Sequence, residues 1–280
     1  MRHSFFLLLP LICSGHLLAQ TSCTNPDVNC DGAVTTNDLL GLLGYFGDVD
    51  ADGDGIWDSE DECVFCVQQC GDPVSYQGYD YATVLIGNQC WFAENLRSEN
   101  YANGDAIPSV LSDSDWETTT SGAVAVYGED AGCNNYSPDI DACDPAQSLN
   151  EYGRLYNWYA VDDARGLCPS GWHVPTDGEW TVMTDHLAGE LVAGGQMKTT
   201  YGWYSGGNGT NTSGFSGLPG GYRSDNGSFS MAGYVGNWWS SSPIGSLAFL
   251  RGLYTLSEGV GRASYGRGFG YSVRCVQDTE

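Results

Sequence analysis

One short segment near the front of the chain carries the clearest chemistry. Asp27-Val28-Asn29-Cys30-Asp31-Gly32-Ala33-Val34-Thr35-Thr36-Asn37-Asp38 sets side-chain oxygens at its first, third, fifth and twelfth positions, with glycine at the sixth. A hard divalent cation such as calcium needs this oxygen cage: carboxylates and amides at alternating positions, a sharp bend at the glycine, and a backbone carbonyl at the seventh position, here Ala33. A second run begins 23 residues later and offers Asp50, Asp52, Asp54, the carbonyl of Ile56, and Asp61. A solvated acidic linker would not repeat that spacing. Calcium is the expected cofactor, in a structural role, since so many carboxylates cannot pack closely without a counter-cation.

No catalytic residue is expected from the remaining chemistry. Beyond residue 19 the histidines are His173 and His186. Neither sits in a Ser/His/Asp or metal-ligand pattern. His173, between Trp172 and Val174 beside a Pro turn, reads as a hydrogen-bonded scaffold group. Asp162-Asp163 and the pair Asp177/Glu179 are carboxylates of the kind glycoside hydrolysis uses. That reaction needs two carboxyls facing each other across a cleft, and Glu179 already has a helix-capping role. Aromatic chemistry remains. Trp203, Tyr204, Tyr222, Trp238 and Trp239 lie near Gly-rich loops with Asn208, Asn211, Arg223, Asp225 and Asn237. Planar rings with a few polar anchors suit stacking on a sugar face, so Trp203, Tyr222, Arg223, Asn237, Trp238 and Trp239 are the expected ligand contacts. Against this, Trp238 and Trp239 alternate on a strand, which puts at least one in the core.

Composition bounds the partners. The 280 residues carry 10 basic and 35 acidic side chains, a net charge of −25, and no Lys or Arg falls between Arg2 and Arg97. Such a surface repels nucleic acid and anionic lipid and attracts metal cations. Residues 1–19 read as a secretion signal, with Arg2 and His3 before a short apolar run. The run is too short and too broken for a membrane span, and no transmembrane segment is expected elsewhere. Loss of the signal removes Cys13 and leaves an even set of ten cysteines, which in an exported chain reads as disulfides. The expected bridges are Cys168–Cys275, joining the central region to the last strand, and Cys133–Cys143, closing a local loop. Cys23, Cys30, Cys63, Cys66, Cys70 and Cys90 stay open.

These groups need elements to hold them. The densest aromatic run, residues 153–183, predicts an aromatic helix by the spacing of Leu155, Trp158 and Tyr159. A Cys-Pro-Ser-Gly turn, an extended Trp172-His173-Val174 before Pro175, and a capping box at Thr176-Asp177-Gly178-Glu179 follow. The capped helix runs roughly to Leu187, burying Trp180, Met183, Thr184 and Leu187, and stops near Gly189. A hairpin is expected across Gly87-Asn88. Strands are expected at 123–127, 215–222, 234–242, 246–254 and 269–276, the last four in an antiparallel core sheet, and 194–213 is expected as a long loop.

Six ordered segments carry a resemblance: IGNQCWFAENL from Ile86, GRLYNWYAV from Gly153, LCPSGWHVPTDGEW from Leu167, FSGLPGGYR from Phe215, NWWSSS from Asn237 and YSVRCV from Tyr271. Together they resemble the Fibrobacter succinogenes major paralogous domain, over residues 73–278. The resemblance implies secretion and a C-type-lectin-like fold, alongside the formylglycine-generating enzymes, more firmly than it implies any activity. The reactive cysteine pair of those enzymes has no counterpart beside Cys275. The carboxylate-bearing triplets by which C-type lectins chelate sugar through calcium are missing from Asn237-Trp238-Trp239-Ser240-Ser241-Ser242. Neither activity carries over. The first acidic loop resembles a type I dockerin. The second runs into Glu62-Cys63 rather than an apolar helix and resembles a thrombospondin type 3 repeat, which weakens the case for a cohesin-type partner.

The expected organisation is a signal at 1–19, a calcium-binding segment at 20–72 and a domain at 73–280. The expected fold class is α+β: a C-type-lectin-like domain with short antiparallel sheets, one or two helices and long Gly-rich loops. The expected function is a secreted or cell-surface, non-catalytic binding or adhesion protein that recognises glycan or a surface protein. The alternatives are an enzyme or enzyme-associated component in polysaccharide degradation, and a structural protein of the extracellular matrix.

Overall fold

Short turns join the first strands of the described residues. β1 (Val74–Tyr76) and β2 (Tyr79–Tyr81) pair antiparallel around Gln77-Gly78, whose φ angles are 50° and 80°. Two positive φ values in a two-residue turn match the twist of the strands they join. β3 (Thr83–Ile86) and β4 (Gln89–Phe92) form the expected hairpin across Gly87-Asn88. The computed structural model describes residues 69–129 and 132–279. The metal-loop residues Asp27, Asn29, Asp31, Ala33, Asp38, Asp50, Asp52, Asp54, Ile56 and Asp61 lie outside the described residues, as do the signal and most of the segment 20–72.

The β3–β4 hairpin extends into a four-stranded sheet in the order β3-β4-β14-β7, where β7 is Trp172–His173 and β14 is Val276–Gln277. A larger sheet holds β5 (Val124–Ala125), β6 (Leu155–Asn157), β8 (Gly220–Arg223), β9 (Phe229–Ala232), β10 (Val235–Ile244), β11 (Leu247–Tyr254), β12 (Val260–Gly266) and β13 (Gly270–Tyr271). Its order is β12-β11-β10-β8-β13-β6-β5, with β9 paired to β8. Every step is antiparallel except β10 on β8, which is parallel at Gly236 and Gly221.

The expected α+β, C-type-lectin-like class is corrected. The described residues are mainly β, in sheets of two, eight and four strands. The helices among them are short: α1 (Asp113–Thr118), α2 (Pro145–Tyr152), α3 (Trp158–Val161), α4 (Asp177–His186) and α5 (Ala193–Met197). The expected sheets were too short and the expected aromatic helix too long. Leu155–Asn157 is strand, and helix begins only at Trp158, because the Asn157 side chain accepts the Ala160 N–H at 3.0 Å and caps a single turn. The strands β9 and β12 were not expected, nor was the helix within the glycine-rich 194–213. There Gly194 packs so closely that a Cβ would stand 2.3 Å from the Gly259 carbonyl oxygen. Glycine therefore permits that helix to dock rather than marking a loop.

The capped helix follows its expectation. Thr176 Oγ1 accepts the Glu179 N–H at 3.2 Å, and Glu179 Oε2 accepts the Thr176 N–H at 2.7 Å. Trp180, Met183, Thr184 and Leu187 are all buried. Both faces of β10 are covered where Trp238 and Trp239 lie, so these neighbours on one strand enter different cores. Trp238 joins Trp91, Trp180, Met197 and Phe215, while Trp239 joins Tyr156, Trp158 and Tyr271. A third cluster gathers Trp116, Tyr127, Tyr152 and Phe229. Full burial of an aromatic side chain contributes on the order of 2 kcal/mol or more, so these rings are the main source of cohesion.

Candidate functional site

The structure places the expected ligand contacts mostly inside. Trp238 and Trp239 are fully buried on β10. Trp238 donates its indole N–H to Asn95 Oδ1 at 2.8 Å and meets Phe215 edge-on at 5.4 Å. Trp239 donates to the Tyr156 carbonyl at 2.8 Å and packs on Tyr271 at 4.5 Å. Trp203 is 2% exposed and donates to the Gly217 carbonyl and to Thr199 Oγ1, both at 3.1 Å. Arg223, also buried, bonds the carbonyls of Gly227 and Leu111 and the Glu129 carboxylate, between the rings of Trp116 and Phe229. Asn237 is buried, and Tyr222 is half-buried against Phe269 and Tyr271. Stacking on a ligand requires an open ring face, and a buried ring with its N–H already bonded has none to give. The expected cluster of six therefore does not form a binding surface; Trp203, Arg223, Asn237, Trp238 and Trp239 are core.

The bridges lie where the chain crosses itself. Cys168 is bonded to Cys275, Cys133 to Cys143, and Cys70 to Cys90. His173 sits between two carboxylates: Nε2 is 2.8 Å from Glu179 Oε1, and Nδ1 contacts Asp278 Oδ1. Burial lowers the His173 pKa, but the bonds to Asp278 and Glu179 outweigh it and leave it raised. This group ties the chain end to the start of α4, a scaffold role. Asp177 is held by Arg251 at 2.6 Å and Arg262 at 2.7 Å. Burial alone would raise its pKa, yet the two guanidinium groups hold it lowered. Asp177 and Glu179 are thus engaged in structure. Asp163 is likewise bound to Arg165 at 2.8 Å.

A different set of rings is open to solvent. Tyr136 and Tyr204 are 40% and 39% exposed, and Tyr234 is half-exposed beside them. Their ring centroids are 4.8 Å apart for Tyr136–Tyr234, 6.2 Å for Tyr136–Tyr204 and 4.5 Å for Tyr204–Tyr234. Burial, with a hydrogen bond to Tyr204, raises the Tyr234 hydroxyl pKa. Each ring comes from a different segment: the loop closed by Cys133–Cys143, the turn around Tyr204–Gly206, and the β9–β10 turn.

These segments are tied together through the backbone. The Tyr136 N–H donates to the Ala232 carbonyl at 3.2 Å, and the Tyr204 N–H to the Gly233 carbonyl at 2.8 Å. The Tyr234 carbonyl accepts the Thr255 N–H at 2.9 Å, while Thr255 Oγ1 donates to the Tyr204 carbonyl. Met231 and Ser205 adopt positive φ, 68° and 53°, next to the rings, a conformation that ordinary side chains hold only when their surroundings enforce it. On the same loops, Asp139 accepts the Gly202 N–H at 2.8 Å. Glu151 bonds the Tyr201 hydroxyl, and its pKa is raised, first by burial and further by Asp139.

Sequence reading named Tyr204 among its rings but missed Tyr136 and Tyr234. The available signal was local: each of the three sits beside a turn-forming or small residue, Asn135, Ser205 and Gly233, rather than in an apolar run. Turn residues place a ring on the surface, and runs place it in the core.

A disulfide-stapled β domain with both faces of β10 covered at its tryptophans and an open tyrosine cluster is the class these features define. The sequence model of the Fibrobacter succinogenes major domain family matches residues 84–277, and the chain belongs to that family. No curated protein matches the chain. No described helix is long and apolar enough to cross a membrane.

Proposed function

We propose that the chain is an exported, non-catalytic binding or adhesion protein that recognises glycan or a surface protein, with calcium stabilising its N-terminal segment. The observation that carries the reading is the Tyr136–Tyr204–Tyr234 surface. Three open rings on three separate segments are held by cross-loop hydrogen bonds before any ligand arrives, and a preorganised surface loses little entropy on binding. Three disulfides suit an oxidising compartment. Residues 20–72 serve in this reading as a dockerin-like or thrombospondin type 3-like segment, with Asp27, Asn29, Asp31, Asp38, Asp50, Asp52, Asp54 and Asp61 as side-chain ligands and Ala33 and Ile56 as carbonyl ligands.

The test uses the full exported chain on a panel of insoluble polysaccharides and cell envelopes, with calcium or with chelator. Binding without release of soluble product supports the proposal. Product release abolished by one carboxylate substitution overturns it in favour of an enzyme. Calcium-driven assembly with no soluble ligand overturns it in favour of a matrix component.

A further inference from the structure

We infer that the Tyr136–Tyr204–Tyr234 surface is a subsite for an uncharged pyranose chain. The inference rests on the binding function proposed above and names its site and ligand class.

Charge selects the ligand. The chain has a single lysine, Lys198, and it is buried, its ammonium donating to the carbonyls of Ser257 at 2.9 Å and Tyr254 at 3.3 Å. Arg154, Arg223, Arg251 and Arg274 are buried as well. Five of the nine basic side chains in the described residues are thus internal struts. The charged groups on the loop that carries Tyr136 are Asp139 and Asp141; Glu151, on α2 and bonded to the Tyr201 hydroxyl, adds a third carboxylate with Arg97 near it. A phosphate, sulfate or uronate would meet like charge there, which costs binding. An uncharged saccharide meets ring faces for its C–H surface and carboxylate oxygens for its hydroxyls.

Size selects against a protein partner. A stable protein interface takes about 800 Å² from each side. Three part-open tyrosines present roughly 250 Å², and ring centroids within 6.2 Å of one another match one or two sugar units. Tyr136 is steeply inclined to both other rings, at 72° to Tyr204 and 76° to Tyr234, while Tyr204 and Tyr234 meet at 37°. The three rings form a corner rather than a flat strip, which suits a chain end or a single bent linkage better than a crystalline polysaccharide face.

The experiment measures affinity of the full chain for soluble neutral gluco-, xylo- and manno-oligosaccharides and for their uronate counterparts. Variants Tyr136→Ala, Tyr204→Ala and Tyr234→Ala are compared with Tyr234→Phe. Near-ultraviolet circular dichroism and melting temperature report the fold of each. The expected result is binding of at least one neutral series, a loss of about tenfold or more for each alanine variant, and near-wild-type affinity for Tyr234→Phe. Wild-type binding that all three folded alanine variants retain overturns the subsite while leaving the binding function standing. Preference for the uronates, or tyrosine-dependent binding of an envelope protein in place of saccharide, overturns the ligand class. Absence of binding to saccharides and envelopes alike overturns both inferences.

Discussion

Gly233 lies directly against the backbone of Tyr136: a Cβ at Gly233 would stand 2.4 Å from the Tyr136 carbonyl oxygen. Gly233 also has φ +92° and accepts the Tyr204 N–H through its carbonyl at 2.8 Å. One residue without a side chain therefore holds two of the three open tyrosines in register. Gly233→Ala meets both a clash and an unfavourable φ, and is expected to cost about 1–3 kcal/mol of stability. Urea unfolding measures the cost. Circular dichroism in the aromatic region should change along with it, because the Tyr136 loop must move away. A variant with unchanged midpoint and spectrum would show that the loop is not held by this contact.

His173 makes the stability of the chain end depend on pH. Its pKa is raised above 6.5 by Asp278 and Glu179, so its contribution is complete below that value and is lost as pH rises through the higher folded-state pKa. Glu179 runs the other way. Burial raises its pKa, but bonds from Thr176 and His173 leave it below 4.5, so its contribution is present above 4.5 and lost as pH falls through the folded-state value. The stability difference between wild type and His173→Gln is therefore expected to be largest between about pH 5 and about pH 6.5 and to close above it. Since the His173 side chain is 36% exposed, solvent screening keeps the difference within about 1 kcal/mol. Unfolding midpoints of both proteins across pH 4 to 9 (about the neutral span on either side of these values) give the curve. A gap that widens towards alkaline pH would contradict the assignment.

Cys168 and Cys275 close a loop of 107 residues, and both lie in the core cluster built on Tyr156 and Trp239. Closing so long a loop restricts the unfolded chain strongly. The double variant Cys168→Ser/Cys275→Ser is expected to lose about 2–5 kcal/mol. The matching change at Cys133 and Cys143 spans only 10 residues and is expected to cost less overall while loosening Tyr136. Thermal unfolding of the two variants side by side checks the order; the reverse order would mean that local packing, not chain restriction, sets the cost.

What was legible in the sequence was local. Thr176 and Glu179 are three residues apart and cap one helix, and Gly87-Asn88 turns one hairpin, so each pattern contains its own cause. Cys168 and Cys275 are distant, yet each sits beside an element the sequence marks locally, the Cys-Pro-Ser-Gly turn and the last strand. The open tyrosines were not legible as a group, because residues 136, 204 and 234 meet only after three loops dock. The tryptophans misled for a related reason. Alternation on a strand implies one wet face only when one face of the sheet is uncovered. Both faces of β10 are covered at the two tryptophans, and the pattern on the strand cannot report that. Of the β10–β11–β12 meander the first two strands were legible, and β12 was missed because Gly261 and Gly266 break its apolar periodicity.

Trp238 separates the core reading from the ligand reading. Its N–H goes to Asn95 Oδ1, which also accepts Arg274 Nε at 2.9 Å. Trp238→Phe therefore leaves Asn95 with a donor and most of the ring volume filled, whereas Trp238→Ala opens a cavity beside Phe215 and Trp180. The expected losses are about 1–2 kcal/mol for Phe and about 3–5 kcal/mol for Ala. Because the ring is fully buried, saccharide affinity per folded molecule should be unchanged in Trp238→Phe, while Tyr204→Ala should lose affinity at nearly full stability. Measuring unfolding midpoint and affinity on the same samples tests both halves. Weakened binding in a Trp238→Phe protein of normal stability would return the site to β10, since a buried ring can affect a ligand only through the fold that positions the exposed ones.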